Sequence, residues 1–378
     1  MQSEQVYVTR VRGNFKQDID VTITSPYVLI SGKNGAGKTT IINTVELALT
    51  GAVSDIAGRG EIRNAKMLDA FRCVTSPHDE LFAEVWLSDD TYARWTLKDG
   101  KIQWKRPDTP WASLFSDVEE ALFSAKTLSG GFERAIRWLY DNFIDGDRLL
   151  AVDPPEAPVE TVDRFVAFAR QFADVARVER LTAIADAAKS SAAAHKKEAD
   201  GLARAVAVLH AHAPKAEGVG VLEAQRDVAR TEQLICAAVQ EYANEWMARC
   251  VRFHREALEQ EINRNALAMA QVSLYVEADT FWVALKDAEG ADTQRTTAPS
   301  GAQTVAAIAA IATAASARRN VETLLVVPDR WYDAQVLREL FTLLGHAHGN
   351  VYLQVVRGLR GRPRTNWDHH DLSPGFFD

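Results

Sequence analysis

Gly32-Lys33-Asn34-Gly35-Ala36-Gly37-Lys38-Thr39 satisfies the pattern G-x-x-x-x-G-K-[ST] at every specified position. That spacing serves the binding of a polyphosphate. Glycines let successive backbone N–H groups turn inward around phosphate oxygens, and the N-terminus of a following helix adds partial positive charge. A lysine at 38 reaches the β- and γ-phosphates, and a hydroxyl at 39 is placed to sit on Mg2+. The binding set read from the pattern is Gly32, Asn34, Gly35, Ala36, Gly37, Lys38, Thr39 and Thr40. An ordinary glycine turn ahead of a helix is the plain alternative, and the flanks argue against it. Tyr27-Val28-Leu29-Ile30 is an apolar run of strand type, residues 40–49 read as a helix, and Gly51 follows. Strand, glycine loop and helix in that order make the motif a site.

Two further constellations lie far downstream. Pro299-Ser300-Gly301-Ala302-Gln303 precedes an alanine- and isoleucine-rich helix, which Ser300 can cap while its N-terminus offers N–H donors to an anion. About 25 residues on, Thr323-Leu324-Leu325-Val326-Val327 is an apolar strand that runs into Pro328, Asp329 and Arg330. A rival pair stands nearer the middle: Leu128-Ser129-Gly130-Gly131, then Leu149-Leu150-Ala151-Val152-Asp153.

The elements that must position these groups fall into three stretches. Residues 1–155 read as mixed α/β, with strands at 6–9 and 21–24 and an antiparallel meander over 81–87, 91–97 and 101–104. Residues 156–270 read as helical. Phe165, Phe168, Phe172, Val175, Val178 and Leu181 recur at helical spacing, the run breaks at 214–220, and it resumes to about 270 without proline or glycine. That is an antiparallel helical hairpin, either a short coiled coil or a compact helical lobe, since the heptads are irregular. Residues 271–378 return to strand, helix and strand, and end in a basic tail.

The bulk numbers set limits. At 378 residues the chain holds one large or two medium domains. Hydrophobic content is 47% and charged content 25%, ordinary for a globular protein. No apolar run is long enough to span a membrane, and residues 1–5 show no signal peptide. Cys73, Cys236 and Cys250 make no disulfide framework and no C-x-x-C pair, so they read as reduced thiols of a cytoplasmic protein. A net charge of −8 argues against a uniformly basic nucleic-acid coat while leaving room for a local basic groove.

A phosphate-loop half, a helical hairpin, and a second half opening with Ser-Gly-x-Gln resemble the SMC/RecF-type branch of the ABC ATPases. The matching features cover roughly residues 1–105 and 271–357. The resemblance implies an α/β ABC-type P-loop head built from both chain ends and interrupted by the hairpin, with ATP and Mg2+ as ligands. It also implies that Ser300, Gly301 and Gln303 form the signature that meets the γ-phosphate held by a second copy of the chain. Pro299 and Ala302 depart from the usual L-S-G-G-[QE]. The family's Walker B carries Asp then Glu after its strand, whereas this chain reads Val327-Pro328-Asp329-Arg330. Either Asp329 stands for the Glu and Pro328 replaces the Asp, or Asp329 is the metal acid and Arg330 replaces the Glu. Asp329 is thus the one candidate catalytic and metal-ligating acid, beside Thr39 as the other metal ligand. Val355-Val356-Arg357-Gly358 occupies the place of the family's switch histidine. The resemblance therefore implies nucleotide binding with slow hydrolysis. In the rival arrangement, residues 128–153 supply signature and Walker B; it lacks a following strand, so the C-terminal set is preferred on topology.

DNA is the ligand that the resemblance implies, in repair, recombination or anti-phage defence. Arg94, Lys98, Lys101, Lys105 and Arg106, interleaved with Trp95 and Trp104, and the tail Arg357 to Arg364 are the candidate phosphate contacts; a solvated face and a solubilising tail are the plain alternatives. A second reading is a regulatory or scaffolding subunit that holds ATP structurally and docks a nuclease or effector. The hairpin tip lacks the C-x-x-C of a zinc hook, His369-His370 falls in a polar tail, and no membrane partner is expected.

Overall fold

The structure is a computed structural model that describes residues 5–53, 65–123, 131–212, 218–267, 270–277, 280–286, 292–295, 301–318, 322–330, 332, 334–355 and 366–372; the side chains of 65–67, 292–295, 329–330 and 334 are not among those described. The chain divides into two units. One takes residues 1–129, 259–275 and 282–378; the other takes 130–258 and 276–281. Both chain ends therefore build the first unit.

In the first unit, β3 (Tyr27–Ser31), β12 (Asn350–Val355), β11 (Glu322–Arg330) and β7 (Trp111–Ser113) pair in parallel, with β13 (Trp367–Asp371) on the other side of β3. β3, β12 and β11 are largely apolar runs because a parallel sheet is covered on both faces. Alternate residues share the work. Val28, Ile30, Leu324, Val326 and Tyr352 belong to the core that also holds Ile41, Ile42, Val45 and Leu49 of α1 (Lys38–Thr50). The same core takes in Val11, Val85, Trp95 and Leu97 from a second sheet, ordered β2 (Ile19–Thr22), β1 (Val8–Gly13), β4 (Leu81–Leu87), β5 (Tyr92–Lys98), β6 (Lys101–Lys105). That sheet is antiparallel throughout, and α1 contacts both sheets.

α8 (Gly301–Ser316) packs on β11, on α2 (Leu114–Val118) and on α9 (Ala334–Leu344). Its residues from Val305 through Thr313 are all buried, as an alanine-rich helix without a polar face requires. A third sheet runs β10 (Asp292–Arg295), β9 (Thr280–Lys286), β8 (Val272–Glu277). Gly51 ends α1 in the left-handed region at φ 74, and a Cβ there would stand 2.6 Å from the Trp104 ring, whose Nε1 donates to Ala48 O at 2.9 Å. Only glycine both turns the chain and admits that ring.

The second unit is helical: α3 (Phe132–Phe143), α4 (Gly146–Leu150), α5 (Val159–Gln171), α6 (Arg177–His212) and α7 (Val219–Asn263), the last of which runs on into the first unit. α6 and α7 are antiparallel, as three contacts show. His210 meets Glu223, Ile184 and Ala188 share a core with Cys236 and Val239, and Thr182 meets Met247.

Three sequence expectations need correction. The apolar spacing from 165 to 181 predicts one helix, but the chain breaks at 172–176 without glycine or proline. There the Arg180 guanidinium donates to Ala173 O at 2.7 Å and Val175 O at 3.0 Å, satisfying carbonyls that a continuous helix would have bonded itself. Residues 146–150, which include the first part of the rival Walker B strand, are helix α4, capped by the Asp145 carboxylate accepting from Arg148 N at 2.9 Å. Short apolar runs do not separate helix from strand by periodicity. His369-His370, assigned to a polar tail, lies in β13, where pairing with β3 supplies the order that local sequence does not.

Candidate nucleotide site

The loop 32–37 leaves the end of β3 with three glycines at positive φ: Gly32 at 155°, Gly35 at 85° and Gly37 at 97°. Gly37 is also the N-cap of α1, and no side chain caps the helix there. The helix start is thus open to an anion, as a phosphate cradle needs. Lys38 is 3% exposed, and its Nζ donates to Gly32 O and Lys33 O, each at 2.8 Å. The ammonium is held across the loop by its carbonyls. Thr39 is half-buried on the first turn of α1, and Thr40 is buried with its N–H bonded to Gly37 O at 3.0 Å. Gly35 has open space where a Cβ would stand.

Two neighbours of the loop escaped sequence reasoning. A Cβ on Gly37 would lie 2.5 Å from Gln17 Oε1, so the Gln17 amide stands beside Gly37 without capping the helix. It follows Lys16, itself at φ 65, whose Nζ lies 5.7 Å from the ring centroids of both Phe15 and Phe71. No motif pointed to Gln17. The other neighbour is β13. Leu372 N donates to Ser31 O at 2.8 Å, and Leu372 Cβ would stand 3.2 Å from a Cβ on Gly32. His369 Nε2 lies 2.8 Å from Ser31 Oγ.

The elements that flank the loop carry buried polar atoms. Asn43, one turn beyond Thr39 on the same face of α1, is fully buried, and neither amide atom has a hydrogen-bond partner. Gln354, opposite Ile30 in register, is 4% exposed with Oε1 unpartnered. Glu46 on α1 accepts from Ser113 Oγ at 3.0 Å. Buried polar atoms are normally satisfied, so Asn43 and Gln354 each carry unused hydrogen-bonding capacity. The donor set and the glycine cradle suit a nucleotide triphosphate with its Mg2+.

β12 lies between β3 and β11, so one strand separates the phosphate-loop strand from the strand that carries Asp329. The β11–β12 register shifts between Val327 and Arg330, which places a bulge at Pro328 and Asp329. A bulge re-aims side chains next to a site, and proline, lacking an N–H, is tolerated there. Gly301 opens α8 in an exposed position, with Gln303 half-buried on its first turn. Pro299, Ser300, residues 128–130 and the basic tail lie outside the described residues.

A family model described as an AAA domain matches residues 12–127. The fold is mixed α/β with long helices; one strand separates the phosphate-loop strand from the strand of Asp329, and both chain ends build the same unit. Among solved structures, the fold is similar to the Smc head domain of Pyrococcus furiosus with an extended coiled coil, bound to the C-terminal domain of ScpA. Identity is 13% over 93% of this chain and 90% of that one, with a TM-score of 0.47. The Smc head with coiled coil and joint from Pyrococcus yayanosii gives 10% identity, coverages of 93% and 92%, and 0.48. The recombination mediator RecF with ATP gives 11%, 93% of each chain, and 0.39. No curated protein matches the sequence. No described helix is long and apolar enough to cross a membrane.

Proposed function

We propose that this chain binds ATP with Mg2+ and uses the nucleotide to bring two copies of its head together, so as to engage DNA or a nuclease-type partner, with slow hydrolysis. The observation that carries the reading is the loop itself: an uncapped helix start behind Gly37, with the Lys38 ammonium held across the loop by two carbonyls. On this reading the loop N–H groups and Lys38 hold the phosphates, and the Thr39 hydroxyl and Asp329 hold the metal, whose chemistry is neutralisation of phosphate charge. Ser300, Gly301 and Gln303 serve the nucleotide of the second copy.

Slow hydrolysis rests on the single acid at the end of β11. Pro328 and Arg330 flank Asp329, so one of the two carboxylates that hold metal and orient water is missing. Asp329→Ala should then change turnover little.

For DNA, support comes from the outer strands of the antiparallel sheet. Lys105 Nζ stands 3.4 Å from the Tyr92 ring centroid, and the Arg106 guanidinium 4.4 Å from that of Trp104. Lys101 is exposed beside them. Arg94 and Lys98 are weaker candidates, being engaged by Glu80 at 2.8 Å and Asp79 at 2.6 Å. Trp95 is 2% exposed and belongs to the core.

The test is ATP turnover and ATP binding of the full chain, with and without DNA, beside Lys38→Ala. Slow turnover that DNA raises and Lys38→Ala abolishes supports the ATPase reading. Lys38-dependent binding without turnover supports the structural-ligand reading, in which the nucleotide fixes the head for a docked effector. Fast turnover abolished by Asp329→Ala overturns the single-acid account.

A further inference from the structure

We propose that the helical hairpin holds a transition-metal site of zinc type, formed by His195 on α6 with Glu232 and Cys236 on α7. The three ligand atoms lie within 4.8 Å of one another, in the absence of any ion. Glu232 and Cys236 are four residues apart, so they share one face of α7. His195 reaches them from the antiparallel partner helix. One nitrogen, one oxygen and one sulfur ligand suit Zn2+ and exclude the hard, all-oxygen preference of Mg2+ or Ca2+.

The surroundings fit a metal centre. Bonds of roughly 2.0–2.3 Å set ligand separations near 3.3–3.8 Å in a tetrahedron, so closure needs side-chain adjustments of about 1 Å. Glu198 Oε2 lies 3.5 Å from His195 Nδ1. A carboxylate behind one ring nitrogen fixes the imidazole and leaves the other to the metal. Arg164 Nη2 donates to Glu232 Oε2 at 2.5 Å, which orients the carboxylate while its second oxygen can be offered to a cation. Cys236 is 1% exposed and walled by Phe168, Ile184, Ala188 and Val239. Dry apolar walls on the thiol side limit competing water. On the other side, His195 and Glu232 line an open groove of about 700 Å³. The fourth position faces that groove, so it takes water or a ligand from a partner. Such a site pins α6 against α7 at mid-length and fixes the hairpin register.

The test uses the full-length protein stripped of metal and titrated with Co2+ and with Zn2+ alone. One equivalent should bind, Co2+ should give a thiolate-to-metal charge-transfer band, and Zn2+ should raise Tm. Cys236→Ser should abolish the band, while Cys73→Ser and Cys250→Ser keep it. His195→Ala, at a half-exposed position that the fold tolerates, should weaken binding by more than the roughly 10–100-fold that loss of an outer-shell partner costs. Absence of stoichiometric binding, or a band that survives Cys236→Ser or is lost with Cys73→Ser, overturns the site. None of these readouts depends on ATP.

Discussion

His369 Nε2 and Ser31 Oγ lie 2.8 Å apart, 338 positions distant in sequence, and join the last strand to the residue immediately before the phosphate loop. Asp371 pairs with Ser31 in register, and Leu372 covers Gly32. The C-terminal strand is therefore a wall of the loop. His369→Ala should lower stability by about 0.5–1.5 kcal/mol, the net value of one hydrogen bond. It should also weaken ATP binding, because Ser31 loses its anchor. Equal ATP affinity in the variant and the wild type, by equilibrium titration, would show that β13 does not set the loop.

Lys38→Ala removes the side chain that spans the carbonyls of Gly32 and Lys33. A hydrogen bond to a charged group contributes about 1.5–3 kcal/mol, so ATP affinity should fall roughly 10–100-fold. Thermal melting without nucleotide should move far less than the nucleotide-induced shift. Calorimetric titration and paired melting curves check both.

Gly37→Ala meets two obstacles. The left-handed backbone at φ 97 disfavours a side chain by about 1–2 kcal/mol, and the new Cβ meets Gln17 Oε1 at 2.5 Å. Gln17→Ala in the same chain should relieve the contact and leave the backbone strain. Partial recovery of Tm and ATP binding in the double variant is the expected outcome; full recovery would place all of the cost in the contact.

Gly349, at φ 134, leads into β12, where an added Cβ would collide with Thr323 Oγ1 and the Thr323 carbonyl. Thr323 Oγ1 itself donates to His348 O. This contact holds β11 beside β12, and with it the strand that carries Asp329. Gly349→Ala should cost about 2–4 kcal/mol, by overpacking and strain together. A denaturant midpoint unchanged from wild type would contradict the packing.

In the helical unit, Arg137 and Asp186 form a two-pronged pair, at 2.6 and 2.5 Å. The Arg137 hydrogen bonds hold the Asp186 carboxyl below its ordinary value against the opposing effect of burial. A depressed carboxylate stabilises above its unfolded pKa, and that stability is lost as pH falls through the folded value. Asp186→Asn should therefore lower stability at neutral pH by about 0.2–1 kcal/mol, a partly exposed pair being screened by solvent. The difference from wild type should shrink below about pH 4. Tm against pH for both proteins is the measurement; a difference constant with pH would remove the ion pair from the account.

The sequence by itself determined the phosphate loop. G-x-x-x-x-G-K-[ST] is a local device, each glycine answering to a backbone angle of its own residue, so the turn at Gly32, Gly35 and Gly37 was legible without the fold. The three-strand meander and the long hairpin were legible too, because period-2 and period-3.6 patterns are written within single elements. Only the tertiary structure decided what depends on meetings between distant segments. The break at 172–176 needs Arg180 to reach back to its carbonyls. Strand β13 needs β3 beside it, and the approach of Gln17 to Gly37 and the burial of Asn43 and Gln354 depend on the packing of distant segments. His195, Glu232 and Cys236 carry no spacing signal across the hairpin, because antiparallel packing of α6 on α7, and no motif, brings them together.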